Sequence, residues 1–132
     1  MKVGIDLVET KRFKALSENI AHLERLFLPE EIAYIETKRA KNNAINDAKS
    51  KPIENTIAGF YAAKEAVLKA TNIGVNNIIP FKDVFIEHNN YGAPVVKLLG
   101  KAKNWQKENK ITKIELSITH DGGFASAICI MQ

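Results

Sequence analysis

The chain has 132 residues, 45% of them apolar and 26% charged, which is enough for one buried core and too little for two. No apolar run approaches the roughly 20 residues that span a bilayer. Asp6 and Glu9 interrupt the first apolar stretch before a secretory core can form, so no membrane association and a cytoplasmic location are expected. The lone cysteine, Cys129, excludes an internal disulfide framework, and its setting in Ala127-Ile128-Cys129-Ile130 predicts a buried, inert thiol. A net charge of +4 favours an anionic partner without choosing between nucleic acid, a phosphate-rich cofactor and an acidic protein.

In chain order, the β-branched run Val3–Glu9 predicts an opening strand. From Lys11 to about Leu26, Phe13, Leu16, Ile20 and Leu23 recur at helical intervals, with Lys11, Arg12, Lys14, Glu18 and Glu24 on the other face. Leu28-Pro29-Glu30-Glu31 reads as a helix start, with proline in the first turn and acids at the positive end of the helix dipole; that helix is expected to reach about Arg39. The polar stretch from Ala40 to Pro52 reads as a loop. A helix capped by Asn55 or Thr56 is predicted through Ile57, Phe60, Tyr61, Lys64, Val67 and Leu68 to Ala70, closed by Asn72-Ile73-Gly74. Phe81–Glu87 and Val95–Leu99 alternate around a turn-rich Asn89–Pro94 segment and predict a hairpin. Lys101–Lys110 predicts a short helix, and Lys113–Thr119 and Phe124–Met131 a second hairpin turning at His120–Gly123. The whole reads as α+β, helices packed on a small, mostly antiparallel sheet, with residues 1–132 forming one domain.

Three places invite chemistry. Asp6 lies inside an apolar strand, where a buried carboxylate requires a cation or hydrogen-bond donors; a strand-edge carboxylate capping a turn is the equal alternative. Glu65 and Lys69 stand at i and i+4, which reads either as a surface ion pair or as one ligand and one counter-charge for a hard cation carrying phosphate. His120 ends a predicted strand before a Gly-Gly turn, where a functional role competes with a local hydrogen bond. No nucleophile elbow, P-loop, dinucleotide fingerprint or zinc spacing is present in the sequence.

Together these segments resemble one family. Val3–Glu9 with Arg12-Phe13 is similar to the "GIDLVEIxRF" opening of the holo-acyl-carrier-protein synthases, and Ala58–Ala66 with Lys69-Ala70 to their "AGRFAAKEAxxKA" signature. Phe81–Val84 resembles "FxDIEI", Gly92–Pro94 "GKP" and Ser117–His120 "SISH", all in the family order. The resemblance implies a 4'-phosphopantetheinyl transferase-like fold and a homotrimer with sites between subunits. It implies transfer of phosphopantetheine from coenzyme A to a serine of an acyl carrier protein, with Mg²⁺ gripping the diphosphate. Carried over by position, Asp6 and Glu65 become metal ligands, Lys69 a lysine near the transferred phosphate, Lys64 a coenzyme A contact and His120 part of the nucleotide site. Arg12 and Arg25 become a basic helix facing the carrier. Asp121 stands where the family has a small polar residue, as a possible third carboxylate near the metal or a base. The chain departs from the pattern at Phe60 (arginine in the signature), at Ala93 (lysine), in Asn72–Asn76 (a glycine-rich run) and by an insertion after Lys38-Arg39. Two other readings compete: a basic nucleic-acid-binding domain, disfavoured by the lack of aromatic-basic interleaving, and an inactive subunit, suggested by Phe60 and Ala93.

Overall fold

A computed structural model describes residues 1–45, 51–73 and 78–132. The chain opens on strand β1 (Lys2–Glu9), then a 3-10 turn (Thr10–Phe13) and helices α1 (Lys14–Ser17), α2 (Ile20–Leu26), α3 (Pro29–Ile45) and α4 (Ile53–Ala70). A second 3-10 turn (Phe81–Asp83) leads to β2 (Val84–His88), β3 (Pro94–Leu98), α5 (Gly100–Glu108), β4 (Ile114–Asp121) and β5 (Phe124–Met131). Every strand pairing among the described residues is antiparallel: β1-β5-β4 make a three-stranded sheet and β2-β3 a separate hairpin. This is the α+β arrangement expected from the sequence, with both hairpins in place.

The sheet closes on α4. Alternation along β5 turns Ala125, Ala127, Cys129 and Met131 inward, all buried, while Phe124 and Ile128 face out. Burial pushes the Cys129 thiol up to about 12, so it is inert at neutral pH, as expected. α4 answers with small residues, Ala58, Ala62, Ala63, Ala66 and Ala70, all without solvent exposure. The approach is closest at Gly4 of β1, where an added Cβ would lie 1.9 Å from the Ala66 carbonyl oxygen and 2.5 Å from the Ala70 nitrogen. Only glycine fits between this strand and this helix.

The structure differs from the sequence reading locally: Phe81–Asp83, read as strand, form a 3-10 turn, and His120 and Asp121, read as turn, end β4. The helix expected over residues 11–26 is broken, because Asn19 leaves the helical conformation and its side chain accepts from His22 N at 3.2 Å, restarting the chain as α2. α3 runs on to Ile45 through residues read as loop; all but the half-buried Asn42 are exposed, so they lack an apolar period. α4 begins at Ile53, with Pro52 and not Asn55 or Thr56 at the cap position. Asn72 adopts φ 59° at the helix end, as its αL tolerance predicts, whereas Gly74 lies outside the described residues.

α4 is tied to α3 and the hairpin by a buried ion pair. Glu31 Oε1 receives a hydrogen bond from Leu28 N at 2.8 Å and from Lys64 Nζ at 2.7 Å, and its Oε2 from Ile86 N at 3.1 Å. Both side chains are 0% exposed. The Lys64 ammonium also lies 5.5 Å from the Phe27 ring centre and 5.1 Å from that of Phe81. Burial lowers the Lys64 pKa and Glu31 holds it up. The Lys64 ammonium, expected to contact coenzyme A, is thus placed in the core against Glu31 and away from solvent.

Removing one partner of such a pair strands the other charge. Lys64→Met is expected to cost about 3–5 kcal/mol, which lowers the thermal midpoint by roughly 10–20 °C for a chain of this size. Circular-dichroism melts of wild type and variant measure it. A variant that melts with the wild type but loses coenzyme A affinity would restore the ligand role.

Candidate active site

Two regular elements build the first part of the site. Strand alternation turns Asp6 toward α4 along with Gly4 and Val8. On α4, Tyr61, Glu65 and Lys69 are spaced by four and share one face. Lys69 Nζ donates to Asp6 Oδ1 at 2.7 Å and to the Ile5 carbonyl at 3.1 Å. The cation thus crosses to the strand and does not close the Glu65–Lys69 pair that the spacing allowed. Asp6 Oδ2 is buried with no hydrogen-bond partner. Glu65 sits beside it with its pKa raised, first by burial, then by the Asp6 charge, with Lys69 opposing.

Two carboxylates thus share one lysine, one of them with an orphaned oxygen and the other disfavoured as an anion. This face is short of positive charge. A hard, oxygen-seeking divalent cation fits it, and Mg²⁺ typically takes one or two carboxylates, with substrate phosphate and water filling the other positions. No group of three or more His, Cys, Asp or Glu side chains forms a metal cage among the described residues.

The second part is a cavity of about 580 Å³ between α3, α4, the β2-β3 hairpin and β4, lined by Tyr34, Lys38, Asn55, Phe60, His88 and His120 among others. His120 Nε2 donates to the Asn55 carbonyl at 2.8 Å, which fixes its tautomer. A Cβ on Gly59 would approach that nitrogen to 2.9 Å, so the glycine makes room for the ring. Tyr34 and His88 stack with centroids 4.2 Å apart, and Phe60 meets both rings edge-on. Burial, and then Lys38, lowers the His88 pKa, keeping the ring neutral at pH 7. Phe60, which replaces a signature arginine, closes an aromatic wall here. Sequence reasoning missed Tyr34, Lys38 and His88, which lie outside the motifs and meet only in three dimensions.

The two parts lie on different sides of α4. At 3.6 residues per turn, the Asn55–Phe60 surface and the Tyr61–Lys69 surface point in roughly opposite directions and are about 12 Å apart along the axis. Asp121 joins neither. It is exposed, pairs with Phe124, and by register stands three residues past Ile118, the position level with Asp6. That odd offset turns it to the other face of the sheet, so the structure does not bring Asp121 to the carboxylates within one chain. Arg12 and Arg25 are also separated, since Arg12 lies in the first 3-10 turn and Arg25 is exposed on α2. They do not form the single basic helix expected.

Residues 2–129 match the family model of the 4'-phosphopantetheinyl transferase superfamily. The chain is 40% identical over 131 residues to a holo-acyl-carrier-protein synthase of Caldicellulosiruptor saccharolyticus, covering 98% of this chain and 94% of the relative. It is 37% identical over 132 residues to the synthase of Nitratiruptor, with 98% and 97% covered. Its fold is similar to the crystal structure of the Helicobacter pylori synthase in complex with coenzyme A, with TM-score 0.76, 30% identity, and 98% of this chain and 99% of that chain covered. It is also similar to the Neisseria meningitidis synthase, with TM-score 0.79, 26% identity, and 99% and 97% covered. The motif order read from the sequence, the antiparallel sheet on α4 and these matches lead to one assignment: the chain belongs to the 4'-phosphopantetheinyl transferase superfamily and, within it, to the holo-acyl-carrier-protein synthases, a family of transferase enzymes.

Proposed function

We propose that residues 1–132 act as one transferase domain that moves 4'-phosphopantetheine from coenzyme A to a serine of an apo acyl carrier protein, in the cytoplasm, where both reactants are soluble. The observation that carries this reading is the buried, unpartnered Asp6 Oδ2 beside a Glu65 whose ionised form is disfavoured. Asp6 and Glu65 would hold Mg²⁺, which supplies charge neutralisation at the diphosphate when bound. Lys69, half exposed while bonded to Asp6, is placed to follow the transferred phosphate with its ammonium. Phosphoryl transfer asks mainly for such positioning and charge neutralisation, and the serine nucleophile belongs to the carrier. The cavity at His120 suits the nucleotide end of coenzyme A, because flat rings and lysines meet there. Coenzyme A in the similar Helicobacter pylori structure supports this choice of ligand.

A single copy keeps the carboxylate face and the His120 cavity apart, so the reading includes a homotrimer whose seams combine them. Support comes from the outer face of the sheet, where Val3, Ile5 and Leu7 are 48%, 61% and 62% exposed next to Phe124 and Ile128. An apolar surface of this kind on a small chain calls for cover. In such an assembly His120 and Asp121 of one copy can meet the carboxylate face of the next, which keeps Asp121 as a catalytic candidate across the seam.

Three outcomes are expected. Glu65→Gln abolishes Mg²⁺-dependent transfer, read from the mass of the carrier, yet does not lower the thermal midpoint in EDTA at pH 7. The sign follows from the raised pKa: the ionised form costs stability above that pKa, and glutamine removes the cost. As pH falls through the raised pKa toward the unfolded value, the wild type loses this handicap and the two melting curves converge. Transfer at the wild-type rate would remove Glu65 from the metal site. Arg25→Glu raises KM for the carrier roughly tenfold, with coenzyme A little affected, and the wild-type carrier KM rises with salt; equal effects on both substrates would deny a carrier contact. Light scattering gives a mass of three chains for the wild type, and Leu7→Lys dissociates it with loss of activity. An active monomer would overturn the shared site.

A further inference from the structure

Tyr61 lies one helical turn before Glu65 on the carboxylate face of α4. Its ring is held by Phe13 and Phe81, with centroids 5.1 Å and 5.3 Å away. The hydroxyl is left as its working end. The signature has phenylalanine at this position, so the packing does not require an oxygen there. Arg12 completes the shelf, with its guanidinium carbon 5.7 Å from the Phe13 ring centre and 6.0 Å from that of Tyr61. The phenol senses the charges of Glu65, Arg12 and Asp6. Burial raises its pKa first, then Glu65; the Arg12 charge opposes, and Asp6 adds to the rise. The hydroxyl therefore stays protonated at neutral pH and keeps both a hydrogen to donate and lone pairs to accept with.

Counting charges shows what such a shelf is for. Asp6 and Glu65 bring two negative charges, and Lys69 is already bonded to Asp6. A diphosphate arriving with a divalent cation leaves this face negative again, and a further cation close by relieves it. A guanidinium is suited to that task because it is always charged and its planar fork matches phosphate oxygens two at a time. A guanidinium on a surface turn has many orientations, and a hydroxyl that accepts from it would select one.

We propose that Tyr61 is a positioning residue that fixes Arg12 beside the Asp6–Glu65 face, so that this guanidinium serves the phosphate groups of the co-substrate as well as meeting the carrier. The inference rests on the transferase reading above. It assigns Arg12 a phosphate role that a purely carrier-facing arginine lacks, and it gives the Tyr61 oxygen a purpose.

The test is a double-mutant cycle on the full chain with Tyr61→Phe, Arg12→Gln and both together. Coenzyme A binding is measured by calorimetry with Mg²⁺ and no carrier, transfer kinetics are measured with each substrate varied, and melts check the fold. Tyr61→Phe is expected to melt with the wild type and to weaken coenzyme A binding roughly tenfold, the size of one charge-assisted hydrogen bond. Arg12→Gln weakens it at least as much, and the double variant no further than Arg12→Gln alone. Arg12→Lys, which keeps the charge but not the fork, recovers only part of the loss. The carrier KM moves with Arg12→Gln and little with Tyr61→Phe. Wild-type coenzyme A affinity in Tyr61→Phe, or losses that simply add, would overturn the proposal. Wild-type protein that binds coenzyme A but transfers nothing would sink the transferase reading while the binding cycle still judges Tyr61. Wild-type protein that does not bind coenzyme A would end both.

Discussion

Taking an ammonium and a carboxylate out of water costs several kcal/mol for each, and their mutual attraction repays this only when the remaining donors and acceptors are also satisfied. Lys64 and Glu31 meet that condition. The carboxylate receives the ammonium, a backbone N–H at the start of α3 and another from β2, while the ammonium rests between two aromatic rings. One ion pair thereby fixes α4 against α3 and the hairpin. The rotation of α4 about its own axis follows from it, and with that rotation the direction of Tyr61, Glu65 and Lys69. Chemistry on one side of the helix depends on an interaction sealed on another.

The same helix separates two kinds of surface. One presents negative charge that only partly cancels, with Asp6 bonded to Lys69 by one oxygen and left unpartnered at the other. The other presents rings and lysines around a cavity. Neither half suffices for a ligand with a diphosphate at one end and a base at the other. The exposed apolar face of β1 and β5 is the surface on which the proposed assembly of copies rests.

Much of this was legible in the residues. The alternation of β1 placed Asp6, the four-residue spacing placed Glu65 and Lys69 on one face, and the motif order named the family. What stayed hidden had physical causes. The helical period put Lys64 on the apolar face, but nothing local named the partner that lets it stay there, because Glu31 lies on another helix and is also bonded to Ile86, 55 residues farther along the chain. A glutamate in the third position from a helix start is a local sign of a capping role, and it was the available clue to Glu31. The break at Asn19 had a signal too, since asparagine is a strong cap, but the apolar period runs through it. The extension of α3 carries no stripe to detect, and the Tyr34–His88 stack joins residues that no window of sequence holds together. The side of the sheet that Asp121 takes was not legible either, because a turn can be foreseen without knowing which face its last strand residue takes.

The contact at Gly4 has a further consequence. A strand and a helix separated by side chains can slide or tilt as those side chains change rotamer. Here the Gly4 α-carbon rests almost on the Ala66 carbonyl, so the gap between β1 and α4 is set by bare backbone. Asp6 is two residues along that strand, and Glu65 adjoins Ala66 on that helix. The separation of the two backbone positions that carry these carboxylates is thus set by main chain, leaving only the side-chain torsions to adjust it. The geometry of the acidic face therefore answers to a residue with no functional group at all.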